Sequence, residues 1–245
     1  MKTALVIGAS SGVAQALVHL LKAADWQVFQ VCRDATRIDT GPEACLSADA
    51  STETGALAAV AAATQAFGAP PGAVINCAGS TLIAPISRTS EAQYRAVMAA
   101  NLDTSFFTAK AYAAALSTEK RGGALLLFSS VVAGIGVSNH SAIAAAKGGV
   151  EALTRSLAAD FSSIGLRVNC IAPGMTRTPM TERMLTNESA ARQIVAQYPL
   201  GRHGEAADIA ALAAFLVSEA SGWITGQVIG IDGGFSAVRP FVKAG

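Results

Sequence analysis

Short apolar runs rich in Val, Ile and Leu recur along the chain at Thr3–Ile7, Gln27–Cys32, Ala44–Ser47, Ala73–Asn76, Ala124–Ser129, Arg167–Ile171 and Gln227–Ile231. Most are apolar throughout rather than alternating with polar residues. A strand of that kind has both faces covered, which is the situation of a parallel sheet between two layers of helices. Longer, Ala-rich periodic segments separate them, at Val13–Ala23, Thr52–Phe67, Glu91–Leu116, Ser141–Phe161 and Ala206–Val217, with a bend or a break expected near Asn101. Strand and helix in alternation predict an α/β fold, a doubly wound sheet of about seven parallel strands with helices on both faces. No Pro/Gly/Ser linker and no repeat divides residues 1–245, so a single domain is expected. The longest interruption of the pattern, Pro173–Leu200, predicts a substrate lid at 175–200.

Composition narrows the function. Of 245 residues 51% are hydrophobic and only 14% are charged, and 18 Lys and Arg against 17 Asp and Glu leave a net charge of +1. That balance offers no basic face for nucleic acid and no polybasic patch for a membrane surface. Mean hydropathy is +0.41, yet the longest stretch free of Lys, Arg, Asp and Glu, Gly122 to Ala146, is broken by glycines and by Ser129, Ser130, Ser138, Asn139, His140 and Ser141. It makes a poor membrane span, and the apolar start before Gly8 is too short for a signal-peptide core. Cys32, Cys45, Cys77 and Cys170 show no metal spacing. They read as buried thiols of a reducing compartment, so a cytoplasmic protein without a metal is expected.

Gly8-Ala9-Ser10-Ser11-Gly12-Val13-Ala14 closes the first strand and opens the first helix. Glycines there let the backbone approach a pyrophosphate, and the helix start offers free N–H groups to it. An ordinary strand-to-helix turn would look similar, but its place on strand one of a parallel sheet favours a dinucleotide site. The loop resembles that of the short-chain dehydrogenase/reductase family, with Ala14 in place of the last glycine. Further motifs follow in family order: Asp49-Ala50, Asn76-Cys77-Ala78-Gly79, Asn101, Phe128-Ser129-Ser130, Pro173-Gly174-Met175-Thr176-Arg177-Thr178 and Ile231-Asp232-Gly233-Gly234. The resemblance covers nearly the whole chain and is closest to the ketoacyl-carrier-protein reductase-like branch. It implies a Rossmann-type fold and a nicotinamide cofactor held by Gly8, Ser10, Ser11, Gly12 and Val13 at the phosphates. Asp49 and Ala50 would meet the adenine, and Asn76, Ala78, Gly79 and Lys147 would lie beside the cofactor. Pro173, Gly174, Thr176 and Thr178 would surround the nicotinamide.

The second strand ends in Cys32-Arg33-Asp34 rather than in an acidic residue. A guanidinium beside the adenosine ribose favours a 2′-phosphate, so NADP(H) is expected over NAD(H). A solvated Arg balanced by Asp34 is the plainer role.

The resemblance also implies hydride exchange with a carbonyl or alcohol of a small-molecule substrate. In the family a Tyr moves the proton, a Lys four residues on supports it, a Ser positions the substrate and an Asn backs a water relay. Ser130, Lys147 and Asn101 fill three of those roles. Counting back four from Lys147 and forward thirteen from Ser130 both reach Ile143, which carries no titratable proton. His140, one turn earlier, is the expected substitute as acid or base, against the blander role of a polar loop or cap residue. His19 and His203 read as structural or exposed. The alternative is a nucleotide-binding pseudoenzyme or assembly subunit without turnover, and a dehalogenase-like offshoot is disfavoured by the intact phosphate loop. Met175, Met180, Met184 and Leu185 in the lid suit an apolar ligand, while Arg177 and Arg183 could meet an acidic one or stay solvated. The charge-poor helices at 101–116 and 141–161 match the family's dimer interface, which implies a homo-oligomer, a tetramer or a dimer.

Overall fold

The computed structural model describes residues 2–38 and 44–239, so Met1, 39–43 and 240–245 of the expected 1–245 domain lie outside the described residues. All seven apolar runs form strands of one sheet: β1 (Thr3–Ile7), β2 (Gln27–Cys32), β3 (Cys45–Ser47), β4 (Ala73–Asn76), β5 (Gly123–Phe128), β6 (Leu166–Pro173) and β9 (Val228–Ile231). Their order is β3-β2-β1-β4-β5-β6-β9, and every pairing is parallel, Leu5 standing between Phe29 and Val74. Strand limits differ from expectation by a residue or two; β6 runs on to Pro173 because β9 pairs with it as far as Ile231.

Successive side chains of a strand point to opposite faces, and each face has its own helices. Leu5 and Ile7 pack with Ala56 and Ala59 of α2 (Glu53–Phe67), Tyr112 and Leu116 of α4 (Thr104–Glu119) and Val150 of α6 (Ser141–Asp160). Ala4 and Val6 face the other way, onto Leu17 and Leu21 of α1 (Gly12–Ala23) and Ile209 and Leu216 of α9 (Ala206–Val217). Each large buried side chain contributes roughly 1.5–3 kcal/mol, and β1 is buried at all five positions. Side-chain caps fix the helix starts: Ser11 accepts from Ala14 N, and Thr52 from Gly55 N.

The long helical segment is interrupted. α3 (Glu91–Met98) begins with a Ser90–Gln93 capping box and passes into a π-turn, Ala99–Asp103, before α4 continues to Glu119. The helix therefore outruns the expected end at Leu116. Ser117, Thr118 and Glu119 carry no apolar signal, and Lys120, at φ 51°, closes the helix in the left-handed region. A single turn, α5 (Val131–Gly134), follows β5. After β6 come β7 (Thr176–Arg177), α7 (Glu182–Leu185), α8 (Glu188–Val195) and β8 (Gly204–Glu205), with β7 and β8 paired as a separate two-stranded ribbon.

Strand order reverses between β1 and β4, the switch point at which open α/β sheets place ligands beyond their C-terminal strand ends. All seven sheet strands point their C-terminal ends to that side.

Candidate active site

A cleft of about 980 Å³ opens over those strand ends. It reaches the upper end of the range of roughly 300–1,000 Å³ usual for ligand pockets. Gly8 sits at its floor with φ 73°, donating to Val31 O at 2.8 Å. A Cβ on Gly8 would lie 2.4 Å from Ala78 N, so only glycine lets the loop lie against the end of β4. At the start of α1, Ala14 N goes to Ser11 Oγ and Gln15 N to Ser11 O. The N–H groups of Gly12 and Val13 have no acceptor among the described residues, and both residues line the cleft with Ser10 and Ser11. Two free N–H groups at a positive helix end suit an anion.

The next part of the cleft carries charge. Arg33, Asp34, Arg37 and Asp49 line it, with Ala50 and Ser51. Asp34 Oδ1 accepts from Thr36 N and Oγ1, at 3.1 and 2.6 Å, as the cap of a short 3₁₀ turn. These bonds hold its carboxyl below the usual range and tie it to its own loop. Asp49 Oδ1 is bonded to Ser51 N and Oγ in the same manner, and those bonds, aided by Arg33, lower its pKa. Arg37 was not picked out from the sequence; it stands on the 3₁₀ turn, where no periodicity marks it.

The chemical end is built from β4, β5, the π-turn and α6. Asn76 does not line the cleft; buried, it accepts from Ala78 N at 3.0 Å and so shapes the turn that presents Ala78 and Gly79. A Cβ on Gly79 would stand 3.0 Å from Asn101 Oδ1 and 3.5 Å from Lys147 Nζ, so a larger residue there would crowd the Asn101 carboxamide. The π-turn swings Asn101 inward. Its Nδ2 donates to Val97 O at 2.9 Å and to Ser80 Oγ at 3.2 Å, and its Oδ1 accepts from Ser80 N. The carboxamide thus supplies a bond to the Val97 carbonyl where the helical ladder is disturbed.

Lys147 lies almost fully buried, with Nζ donating to Phe128 O at 2.7 Å. Burial lowers its pKa from 10.5 to about 8. Burial likewise pushes the thiols of Cys77 and Cys170, near Lys147, up to about 12, so both stay protonated. Ser130 caps α5, its Oγ accepting weakly from Val132 N at 3.4 Å. Its neighbour Ser129 also lines the cleft, but its hydroxyl donates to Glu151 Oε1 at 2.7 Å, which ties the end of β5 to α6. His140 holds the cap position of α6 but makes no capping bond. Its Nδ1 lies 2.7 Å from Ser138 O, an atom that only accepts, so Nδ1 carries the proton and Nε2 keeps a free lone pair. The preceding loop is pinned by Ala84 N donating to the carbonyl of Asn139, which adopts φ 64°. Ile143, one turn before Lys147, lines the cleft and is 4% exposed, packed with Val97 and Ala146.

Pro173, Gly174 and Thr178 line the cleft, whereas Thr176 is buried in β7, its Oγ1 bonded to Gly174 O at 3.1 Å. Tyr198, far from Lys147 in the sequence, reaches the cleft. Its hydroxyl accepts from Met175 N at 2.7 Å, and its ring stacks on Phe235 at 4.8 Å. Arg177 does not line the cleft. It pairs with Glu182 and Glu205 and meets His203 Nε2 at 3.0 Å, so it is not free to meet an acidic substrate. His19 is exposed on α1. Among the described residues no three His, Cys, Asp or Glu converge as a metal site, and no helix is long and apolar enough to cross a membrane.

The cleft therefore joins an anion-binding helix start to a buried lysine and a serine, with space between them shaped by Gly8 and Gly79. Those residues fit a dinucleotide. The sequence profile of the enoyl-(acyl carrier protein) reductase family matches residues 8–236. The galactitol 2-dehydrogenase (L-tagatose-forming) of Cereibacter sphaeroides is 32% identical, over 95% of this chain and 94% of its own length. The inactive 2-(S)-hydroxypropyl-CoM dehydrogenase 2 of Xanthobacter autotrophicus is 34% identical, over 84% of this chain and 91% of its own. The crystal structure of a levodione reductase superimposes with a TM-score of 0.88 at 31% identity, covering 97% of this chain and 98% of that one. Fold, phosphate loop and relatives agree: the chain belongs to the short-chain dehydrogenase/reductase family of oxidoreductases, which bind a nicotinamide dinucleotide and interconvert carbonyls and alcohols.

Proposed function

We propose that the protein is an NADP(H)-dependent carbonyl reductase or alcohol dehydrogenase whose proton is moved by a group other than tyrosine. The observation that supports this reading is that Lys147, Ser130 and His140 line the same cleft as the free N–H groups of Gly12 and Val13. A nicotinamide held there would supply the hydride exchange with the carbonyl or alcohol carbon. The chain's own residues do the rest. Gly12 and Val13 N–H groups hold the pyrophosphate, with Ser10 and Ser11 beside them, and Asp49 and Ala50 flank the adenine. Arg33 and Arg37 supply two cations for a 2′-phosphate, beside an ionised Asp34 whose Oδ1 is engaged by Thr36. Ala78, Gly79, Pro173, Gly174 and Thr178 shape the nicotinamide end, and Lys147 holds the ribose. Ser130 positions the substrate oxygen, and His140 Nε2 takes the alcohol's proton on its free lone pair in oxidation and returns it to the oxygen in reduction. Asn101 fixes the loop at Ser80. The 175–200 segment acts as the lid, and the four free thiols suit a cytoplasmic setting.

Binding titrations test the cofactor preference. A charge-assisted contact is worth about 1.5–3 kcal/mol, so Arg33→Ala is expected to weaken NADPH binding by about 10- to 150-fold and to leave NADH binding unchanged. Equal losses for both cofactors, or tighter NADH binding by the unmodified protein, would reject the preference.

Ile143 favours a second reading, a nucleotide-binding protein without turnover, because it fits an apolar cluster and leaves no hydroxyl beside Lys147. Steady NADPH consumption with any ketone, well above a protein-free control, excludes it.

We further infer a homo-oligomer built on α4 and α6. A shallow apolar groove between them is lined by Leu102, Phe106, Gly149 and Leu153, and Phe106 is 49% exposed. Ala-rich, charge-poor helix faces of this kind suit a partner rather than water. Sedimentation should give the mass of a dimer or tetramer, and Phe106→Glu should lower it; a one-subunit mass for the unmodified protein would refute the assembly.

A further inference from the structure

The cleft divides by charge. Arg33, Asp34, Arg37 and Asp49 all stand beyond β2 and β3, and Lys147 is buried beneath the floor. The remaining half lies between the first turn of α6 and the segment that carries Met180 to Tyr198. Its walls are Ile83, Val137, Ile143, Met180, Met184 and Ile194, and its polar atoms belong to neutral groups such as Thr181, Gln197 and Ser130, with His140 at the edge. No carboxylate or guanidinium among the described residues lines it. Arg177, the nearest cation of β7, is engaged by Glu182, Glu205 and His203 outside the cleft. Ile83 and Met180 are 46% and 50% exposed at its mouth, where a bound apolar molecule would cover them.

This lining selects by desolvation. A carboxylate or phosphate entering it would lose water and gain no cation. Each extra hydroxyl left unpaired weakens binding further, which works against polyols. Methionine side chains adapt to irregular apolar shapes. We propose that the substrate is a compact, uncharged, apolar ketone or the matching secondary alcohol, alicyclic or branched, without carboxylate, phosphate, carrier thioester or additional hydroxyls. The proposal rests on the redox reading of the site, but binding and turnover separate the two.

Calorimetry of the full chain saturated with NADP⁺ provides the test, with para-tert-butylcyclohexanone, para-oxocyclohexanecarboxylate and galactitol as probes. The apolar ketone is expected to bind at least about tenfold more tightly than the carboxylate, with no measurable binding of galactitol. Met180→Glu is expected to weaken the ketone by at least about tenfold, and Ile83→Glu to do the same from the opposite wall; both side chains are exposed, so folding is preserved. NADPH oxidation with the same ketone is followed alongside. Tight ketone binding without turnover supports the substrate class and overturns the redox reading. Carboxylate or galactitol binding as tight as the ketone overturns the class, as does a ketone that fails to bind while NADP⁺ titrates normally.

Discussion

In a His140→Ala background, Ile143→Tyr is expected to raise the rate of ketone reduction by about 100- to 10,000-fold, the contribution of a positioned general acid or base. Ile143 shares a helix face with Lys147 and already borders the cleft, so a phenol there would project between Lys147 and Ser130. Overfilling the cluster with Val97 and Ala146 would cost about 1–3 kcal/mol of stability, a small loss beside the kinetic gain. Ile143→Phe provides the control, since it adds the ring without the hydroxyl and should give no acceleration. The same series examines His140. His140→Ala should slow the natural enzyme and flatten its pH profile, yet change little once Tyr occupies position 143. If Tyr and Phe act alike, proton transfer does not limit the rate and the account of Ile143 fails.

Lys147→Met should alter stability in a pH-dependent way that a purely structural lysine would not show. Unfolded, Lys147 titrates at its ordinary 10.5; folded, burial brings it to about 8. Between those values the unfolded chain holds the proton that the folded chain has released, so this group's contribution to stability rises with pH. Below pH 8 both states are protonated and the full cost of burying the ammonium, about 3 kcal/mol, is present. Methionine removes that cost but leaves Phe128 O without its donor, a loss of about 1–3 kcal/mol. At pH 7 the variant should therefore equal or exceed the parent by up to about 2 kcal/mol. Above pH 10.5 only the loss remains, and the variant should be the weaker by about 1–3 kcal/mol. The thiols of Cys77 and Cys170 also titrate in alkali, but both proteins share them. Urea unfolding of the pair at several pH values measures the difference, and a difference that stays constant from pH 8 to 10.5 would contradict a desolvated, charged Lys147.

The sheet was legible because its strands are apolar on both faces, and the phosphate loop because glycine has a physical reason to stand at position 8. Ile143 was found by counting, since Lys147 and Ser130 fix its place from both sides. Other features leave no such trace. β7 and β8 are two residues each, too short for periodicity, and their pairing joins segments far apart in the chain. The engagement of Arg177 by Glu182, Glu205 and His203 is a tertiary fact, and in the sequence the same arginine reads as open to a ligand. Arg37 and Tyr198 reach the cleft through a 3₁₀ turn and a returning loop, neither of which has a repeat to read. The break near Asn101 was visible as a place, but its form as a π-turn depends on the carboxamide reaching both Val97 O and Ser80.

That turn sets the phase of the whole helical arm. Each residue advances an α-helix by about 100°, and a π-turn adds one residue to the winding. Winding the turn as ordinary α-helix with all its residues kept would rotate everything beyond it by roughly a third of a turn. Phe106 would leave the groove shared with α6, and Tyr112 would lose Pro71 O, its partner at 2.8 Å. Asn101 could then face the cleft only at the expense of the surface beyond it. A single extra residue thus keeps two addresses on one rod in register, the pocket on one side and the outer face of the molecule on the other.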